Sequence, residues 1–218
     1  MLLNSVLIKK SSTALGYGIY SKRHIPKGAV VWFPCEDCEI YTPEDMKKIG
    51  DQNLTELDEY GYYLNDGNNI LPCNQAHLLN HSCTPNVLDF GLDFGIAIKD
   101  IHPNEEITID YSTFYADAKY NDWTVYCTCN NEHCRKEIVP KDYKNTTIRE
   151  NWIQQILDAI QCIKKVDQPL HEVLYHNSDK YKWLLQSDLN TLSKSDLNID
   201  IRSKKKTTEQ DFIYTNKR

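Results

Sequence analysis

The sequence predicts a mainly β domain, a β-rich α+β fold, followed by a helical extension toward the C-terminal end. The first half of the chain consists of short runs of β-branched and aromatic residues that are separated by turn residues. From Thr147 onward the apolar residues recur at helical spacing instead. A chain of 218 residues is long enough for one buried core with an appendage.

The predicted strands are the short apolar runs that lie between turn residues. These runs are Val6–Ile8, Gly18–Tyr20, Ala29–Phe33, Tyr60–Leu64 and Ile70–Leu71. Asp66 and Gly67 separate the last two runs, and glycine tolerates the positive φ that a tight hairpin turn requires. A second hairpin is expected to turn near Gly91.

One helix is predicted within the β-rich half, from Pro43 to about Ile49. Thr42 is suited to the N-cap position, Pro43 to the first helical position, and Asp45 completes a capping pattern. We therefore expect this helix to be an insertion between strands.

The C-terminal part of the chain has the pattern of an amphipathic helix followed by a second helix from Ser178 to Leu189. The apolar positions of the first helix are Ile148, Trp152, Ile153, Ile156, Leu157, Ile160 and Ile163. Residues 193–218 are polar and contain Lys204–Lys206, which indicates a weakly ordered tail.

The formal net charge of −6 argues against the phosphate backbone of a nucleic acid as the main partner and suits a basic peptide better. No run of about 18 apolar residues appears, and the N-terminal residues lack the pattern of a secretory signal. We therefore expect a soluble intracellular protein that does not bind membranes. Cytoplasmic and nuclear locations, and the oligomeric state, are left open.

Four segments combine residues that carry chemistry: 16–18 (GYG), 80–86 (NHSCTPN), 105–111 (EEITIDY) and 127–135 (CTCNNEHCR). Together they resemble the SET-domain protein lysine methyltransferases. The second segment matches the family signature N-H-S-C-x-P-N, and the third matches G-E-E-L-T-x-D-Y except at Asn104 and Ile107. The fourth resembles the post-SET pattern C-x-C-x4-C-R. The resemblance covers roughly residues 5–137, and joint motifs are far more specific than a short glycine pattern.

The resemblance implies a SET fold, which has several small twisted sheets and a knot-like crossing of the Tyr111 segment past the Asn80 loop. It places a SET domain at residues 5–115 and a post-SET zinc segment at 123–138. Residues 146–192 would form a helical C-terminal extension, and 193–218 would remain the flexible tail.

The family's cofactor is S-adenosylmethionine, and the resemblance assigns its binding to Gly16, Tyr17, Gly18, Asn80 and His81, with Tyr111 beside them. Glycines let the backbone approach a ligand because no Cβ intervenes. An isolated glycine turn or Asn-His pair would be interpreted as an ordinary turn.

Tyr111 is the family's catalytic tyrosine by position and would align the methyl group with the lysine amine. Phe114, Tyr115 and Tyr126 follow it, and their aromatic side chains would either line the lysine channel or pack in the core.

A departure from the family lies at residues 33–36 (FPCE), where many members carry Y-x-G-E. This departure motivates an alternative from another class, a zinc-stabilised binding module that has little or no catalytic activity.

The main hypothesis is methyl transfer to lysine in a protein substrate, a histone or another protein with a basic tail. Methylation of a small molecule, or of a non-histone protein only, is a third hypothesis. The number of methyl groups transferred is left open.

Cys127, Cys129 and Cys134 provide three thiolates of a structural zinc site, which normally has four ligands. The resemblance assigns the fourth ligand to Cys83, and His133 is the rival fourth ligand. The alternative for the whole cluster is a set of free or disulfide-bonded thiols.

The other cysteines have weaker patterns. Cys35 and Cys38 form a C-x-x-C pair, which is compatible with a redox pair or a second metal site and which we interpret as plain thiols. Cys73 and Cys162 have no partner at a recognisable spacing and are interpreted as small core residues.

Overall fold

The computed structural model describes residues 2–12, 14, 16–35, 37–49, 57, 60–63, 68–73, 75–113 and 123–196. Several predictions fall outside these residues: the Asp66-Gly67 turn, the channel residues Phe114 and Tyr115, and the tail beyond residue 196 with Lys204–Lys206.

The strands of the described residues are short, as their clustered β-formers and frequent turn residues predict. They are β1 (Val6–Lys10), β2 (Tyr17–Ser21), β3 (Val30–Trp32), β4 (Glu39–Tyr41), β5 (Tyr62–Tyr63), β6 (Asn69–Leu71), β7 (Asn80–His81), β8 (Val87–Leu88), β9 (Gly95–Ala97), β10 (Thr108–Ile109), β11 (Val125–Tyr126) and β12 (Glu137–Ile138).

These strands form small sheets, most of which are antiparallel. The antiparallel sheets have the orders β1-β2, β3-β9-β8, β4-β6-β5 and β11-β12, whereas β7 and β10 pair in parallel. The hairpin predicted near Gly91 joins β8 to β9, and Gly91 has a φ of 77°. The predicted mainly β fold of several small sheets is therefore confirmed.

Helix α1 (Pro43–Lys48) has the capping pattern that its sequence predicts. The Thr42 hydroxyl accepts a hydrogen bond from the Asp45 amide at 3.1 Å, and the Asp45 carboxylate accepts one from the Thr42 amide at 3.1 Å. Both contacts satisfy amide groups that have no partner within the first helical turn.

The C-terminal helices are α2 (Thr146–Ile160), α3 (His171–Asn177) and α4 (Asp179–Gln186). The helix predicted from Ser178 to Leu189 is shorter than expected, because Ser178 is its N-cap and the helix ends at Gln186. Helix α3 was not predicted, since Leu174 is its only buried residue and gives no helical period.

Helix α2 packs against the same core as the sheets. Trp152 and Phe90 are in ring contact with centroids 5.1 Å apart, and the side chains of Ile156 and Ile160 are fully buried. Gly28 permits this approach, because a Cβ there would lie 2.9 Å from the Ala159 carbonyl oxygen. The helical extension thus shares one hydrophobic cluster with the β-rich part.

The parallel pair of β7 and β10 is the crossing that the resemblance implied. Thr108 lies opposite Asn80, and Ile109 lies opposite His81. Since Tyr111 is two residues after the end of β10, this pairing brings it next to a segment that is about 30 residues earlier in the chain.

Among the residues that the structure describes, no helix has the length and apolar character needed to cross a membrane.

We expect Ile156→Ala to lower the free energy of unfolding by about 2–5 kcal/mol, because it leaves a cavity in the core that α2 shares with the sheets. Chemical denaturation followed by far-UV circular dichroism measures this loss. Asn151→Ala, on the exposed side of α2, is the control and should change stability by no more than about 0.5 kcal/mol. Two separate transitions for helices and sheets would contradict the shared core.

Candidate active site and zinc centre

Tyr111 and His81 form the centre of the candidate active site. The backbone amide of Tyr111 donates a hydrogen bond to His81 Nδ1 at 3.2 Å, and the Tyr111 hydroxyl donates one to the Leu79 carbonyl oxygen at 3.0 Å. Burial raises the pKa of Tyr111 to about 12, so its hydroxyl stays protonated at neutral pH. Burial, with a smaller contribution from Arg135, lowers the pKa of His81 to about 3, so its imidazole is neutral.

A cavity of about 170 Å³ opens beside Tyr111, and most of its wall is apolar or aromatic. Its lining residues are Trp32, Tyr60, Gly61, Tyr62, Pro72, Ala76, His77, Leu79, Ile109, Tyr111, Trp123 and Val125. Tyr126 does not line it: the Tyr126 side chain is 78% exposed, whereas its neighbour Val125 contributes to the wall. Successive residues of a strand point to opposite faces, which explains the difference within β11.

The glycine turn lies directly against Asn80. The Asn80 side-chain amide donates hydrogen bonds to the Tyr17 carbonyl oxygen at 3.0 Å and to Glu106 Oε1 at 2.9 Å. A Cβ at Gly18 would lie only 2.2 Å from Glu106 Oε1 and 2.7 Å from the Asn80 amide nitrogen. A side chain at position 18 would therefore displace the Glu106 and Asn80 side chains from their present positions.

Gly16 differs from Gly18 in its surroundings. It has a φ of 90°, and a Cβ built there would meet no atom within 4 Å. The next residue, Tyr17, is 65% exposed. The turn thus presents open space on the side of Gly16.

Glu106 is a residue of the site that sequence reasoning did not single out. Its carboxylate accepts hydrogen bonds from Ser11 Oγ at 2.7 Å, from Ser12 N and Oγ at 2.8 and 2.6 Å, and from Tyr20 Oη at 3.0 Å. Burial alone would raise the pKa of this carboxyl, but the hydrogen bonds from Ser12, Asn80 and Ser11 outweigh burial and lower it. The only sequence feature that pointed to Glu106 was its position in the third motif, residues 105–111.

Cys83, Cys127, Cys129 and Cys134 have sulfur atoms that all lie within 4.8 Å of one another, and we call them the first cysteine group. Cys83 Sγ is 3.7 Å from Cys127 Sγ and 4.0 Å from Cys134 Sγ. Tetrahedral zinc with zinc–sulfur bonds of about 2.3 Å places its sulfur ligands about 3.8 Å apart. The donor atoms and spacings therefore fit a zinc ion.

Backbone amides also point at the sulfur atoms of this group. The Cys129 amide donates to Cys127 Sγ at 3.4 Å, and the Arg135 amide donates to Cys83 Sγ at 3.3 Å. Such donors stabilise negative charge on thiolates. The rival ligand His133 is not in the group: its imidazole is exposed and lies 3.2 Å from the Glu132 carboxylate.

Asp110 and Arg135 form a buried ion pair that connects the Tyr111 segment to the first cysteine group. Arg135 Nη2 lies 2.5 Å from Asp110 Oδ1, and Arg135 Nη1 lies 3.3 Å from Asp142. Trp152 of α2 donates from its indole nitrogen to Asp110 Oδ2 at 3.2 Å. Burial raises the pKa of Asp110, and the Arg135 charge opposes that rise.

A protein-family model covers most residues of this site. Residues 16–112 match the family model of the SET domain. The matched range contains the glycine turn, Asn80, His81, Cys83 and Tyr111, and it ends before the other three cysteines of the first cysteine group. A search of curated proteins finds no match to this chain.

Three solved structures are similar in part. A candidate histone methyltransferase of Plasmodium falciparum, PFL0690c, has 24% identity and a TM-score of 0.37, over 50% of this chain and 95% of that one. The methyltransferase domain of human histone-lysine N-methyltransferase SETMAR has 21% identity and a TM-score of 0.44, over 62% and 58%. KRYPTONITE, in complex with mCHG DNA and SAH, has 22% identity and a TM-score of 0.41, over 61% and 28%. This chain thus covers less than two thirds of the last two structures.

We expect the stability of the wild type to fall as the pH drops through the lowered folded-state pKa of Glu106. Below the ordinary value of 4.5 the unfolded chain binds the proton more readily than the folded chain, so acid favours unfolding. In Glu106→Gln this part of the acid dependence should disappear. The neutral-pH free energy of unfolding should fall by about 2 kcal/mol, because hydrogen bonds to a charged group are lost.

Urea denaturation at a series of pH values measures both effects. Glu150→Gln, at an exposed position of α2, is the control and should keep the wild-type pH profile. If the free energy of unfolding of Glu106→Gln decreases at acidic pH as much as that of the wild type, other carboxyl groups cause the acid dependence.

Proposed function

We propose that this protein is a SET-domain protein lysine methyltransferase that uses S-adenosylmethionine and has one structural zinc ion next to its active site. The observation that carries the proposal is the parallel pairing of β7 and β10, which places Tyr111 beside Asn80 and His81 at the edge of an aromatic cavity. The SET domain match over residues 16–112 supports it.

The cofactor would be held by Gly16, Tyr17, Gly18, Asn80 and His81. The open space at Gly16 and the exposed Tyr17 leave room for a ligand beside the glycine turn, and the Asn80 amide is adjacent. When bound, S-adenosylmethionine supplies a methyl group that is bonded to a positively charged sulfur. An amine can attack the carbon of this methyl group. The residues of this turn would orient and enclose the ligand.

The cavity suits the side chain of lysine. Aromatic walls such as Trp32 and Trp123 can pack along its alkyl chain. A free lysine amine has a pKa of about 10.4 and must lose a proton before it can act as a nucleophile. Removal from water inside the cavity favours the neutral amine.

Tyr111 would position the amine. Its hydroxyl donates to the Leu79 carbonyl, and a phenolic oxygen can also accept a hydrogen bond, here from an amine N–H. The raised pKa of Tyr111 keeps it in this neutral form. Correct alignment of two reacting groups accounts for a large part of the acceleration in reactions of this kind.

The zinc ion would be held by the first cysteine group and would fasten the segment 123–138 to Cys83, close to His81. Residues 5–115 would form the SET domain, 146–192 the helical extension, and 193–218 the tail. A net charge of −6 suits a lysine-containing protein with a basic tail as the substrate.

We expect Tyr111→Phe to reduce methyl transfer by about 100-fold or more, because a small loss of alignment has an effect of that size. The assay measures transfer of labelled methyl groups from S-adenosylmethionine to histones and to proteins of a cell lysate. Tyr175→Phe, a half-exposed tyrosine of α3, is the matched control and should keep wild-type activity.

Full activity in Tyr111→Phe would contradict the role of this hydroxyl. A wild type that binds the cofactor but methylates no protein would favour the binding module. Labelling of small molecules alone would contradict the protein substrate.

We expect Cys129→Ala to reduce the zinc content by one ion per chain, because the substitution removes one of the four ligands of a closed tetrahedral site and alanine has no donor atom to replace it. Elemental analysis of the purified full chain after dialysis measures the stoichiometry. Cys162→Ala is the control, since Cys162 lies outside the first cysteine group. Equal zinc content in the wild type and Cys129→Ala would contradict the zinc site.

A further inference from the structure

A second group of cysteines lies apart from the first. Cys35, Cys38 and Cys73 have sulfur atoms within 4.8 Å of one another, and we call them the second cysteine group. Cys35 Sγ is 3.3 Å from Cys73 Sγ. Cys35 and Cys38 are buried, and Cys73 is half-buried. The C-x-x-C pair, interpreted from sequence as plain thiols, therefore has a third thiol as a neighbour.

The fold itself brings these cysteines together. Cys35 and Cys38 lie in the connection from β3 to β4, and the Cys38 amide donates to the Cys35 carbonyl at 3.0 Å, which closes a tight turn. Cys73 follows β6, which pairs with β4 so that Glu39 lies opposite Leu71. This register places Cys38 and Cys73 at the same end of the strand pair.

Three convergent thiols are better suited to a metal ion than to the alternatives. A disulfide would use two of the three sulfurs and would leave the third unpaired. Packing as small apolar residues would not require three sulfur atoms to meet at one point. Soft thiolate ligands favour zinc, and two ligands separated by two residues are common in zinc sites.

We propose that Cys35, Cys38 and Cys73 bind a second zinc ion. Asp37, an exposed residue of the same turn, has a carboxylate oxygen 3.8 Å from Cys35 Sγ and is a candidate for the fourth ligand, with water as the other. Metal binding here can be tested without the proposed methyl transfer, because the three cysteines share no residue with the first cysteine group.

The proposed second zinc site lies next to the wall of the cavity beside Tyr111. Trp32 of β3 precedes Cys35, and Pro72 and Ala76 flank Cys73; all three residues line the cavity beside Tyr111. The Ala76 amide also donates to the Cys73 carbonyl at 3.0 Å. A metal bound to Cys35 and Cys73 would therefore hold two parts of the cavity wall together.

Zinc stoichiometry of the purified full chain tests the proposal without any activity assay. We expect two zinc ions per wild-type chain, one in Cys73→Ser, one in Cys129→Ala and none in the double variant. Cys162→Ser should retain two. One zinc ion in both the wild type and Cys73→Ser would overturn the second site. A Cys35–Cys73 disulfide found by mass spectrometry in protein kept under reducing conditions would overturn it as well.

Thiol labelling provides a second measurement that does not require Cys73→Ser to fold. In Cys129→Ala, which has already lost the first zinc ion, alkylation of Cys35, Cys38 and Cys73 should be slow and should accelerate at least tenfold after a chelator is added. Cys162 should react at the same rate with and without the chelator. Equal rates for the second cysteine group in both conditions would overturn the proposal.

Discussion

The parallel contact between β7 and β10 is the constraint on which the rest of the site depends. Two paired residues on each strand contribute little stability by themselves. The Asn86 side chain adds hydrogen bonds to this pair of strands. It accepts a hydrogen bond from the Thr108 amide at 2.8 Å and donates one to the Glu106 carbonyl at 2.8 Å. The buried Asn86 side chain thus provides partners for the backbone groups of Glu106 and Thr108. Leaving these buried groups without hydrogen bonds would cost free energy of folding.

The buried carboxylate of Asp110 extends that constraint to the C-terminal part. Its oxygens contact Arg135, the Ser112 amide and the Trp152 indole, so one side chain connects β10, the cysteine segment and α2. Burial of a charge is unfavourable unless partners compensate it, so the three elements are required together. The helical extension is therefore part of the structure that holds Tyr111 in place.

The two cysteine groups neighbour different segments of the cavity wall. The first cysteine group connects Cys83, two residues after His81, to the segment that includes the cavity residues Trp123 and Val125. The second cysteine group connects the end of β3 to the segment before Leu79, whose carbonyl accepts the Tyr111 hydroxyl. Metal ions at both places would give rigid walls to a cavity formed by very short strands, which have few backbone hydrogen bonds of their own.

Sequence alone determined the elements whose signals are local. Three features could be recognised from residues that are close together in the chain: the capping box of Thr42 and Asp45, the apolar period of α2, and the motifs that contain Asn80, His81 and Tyr111. Only the tertiary structure decided which distant residues meet. Glu106 beneath Gly18, Asp110 against Arg135 and Cys73 beside Cys35 are contacts across about 25 to 90 residues, and no periodicity or spacing encodes them. Such contacts arise from strand register and burial, which follow from the packing of the whole chain.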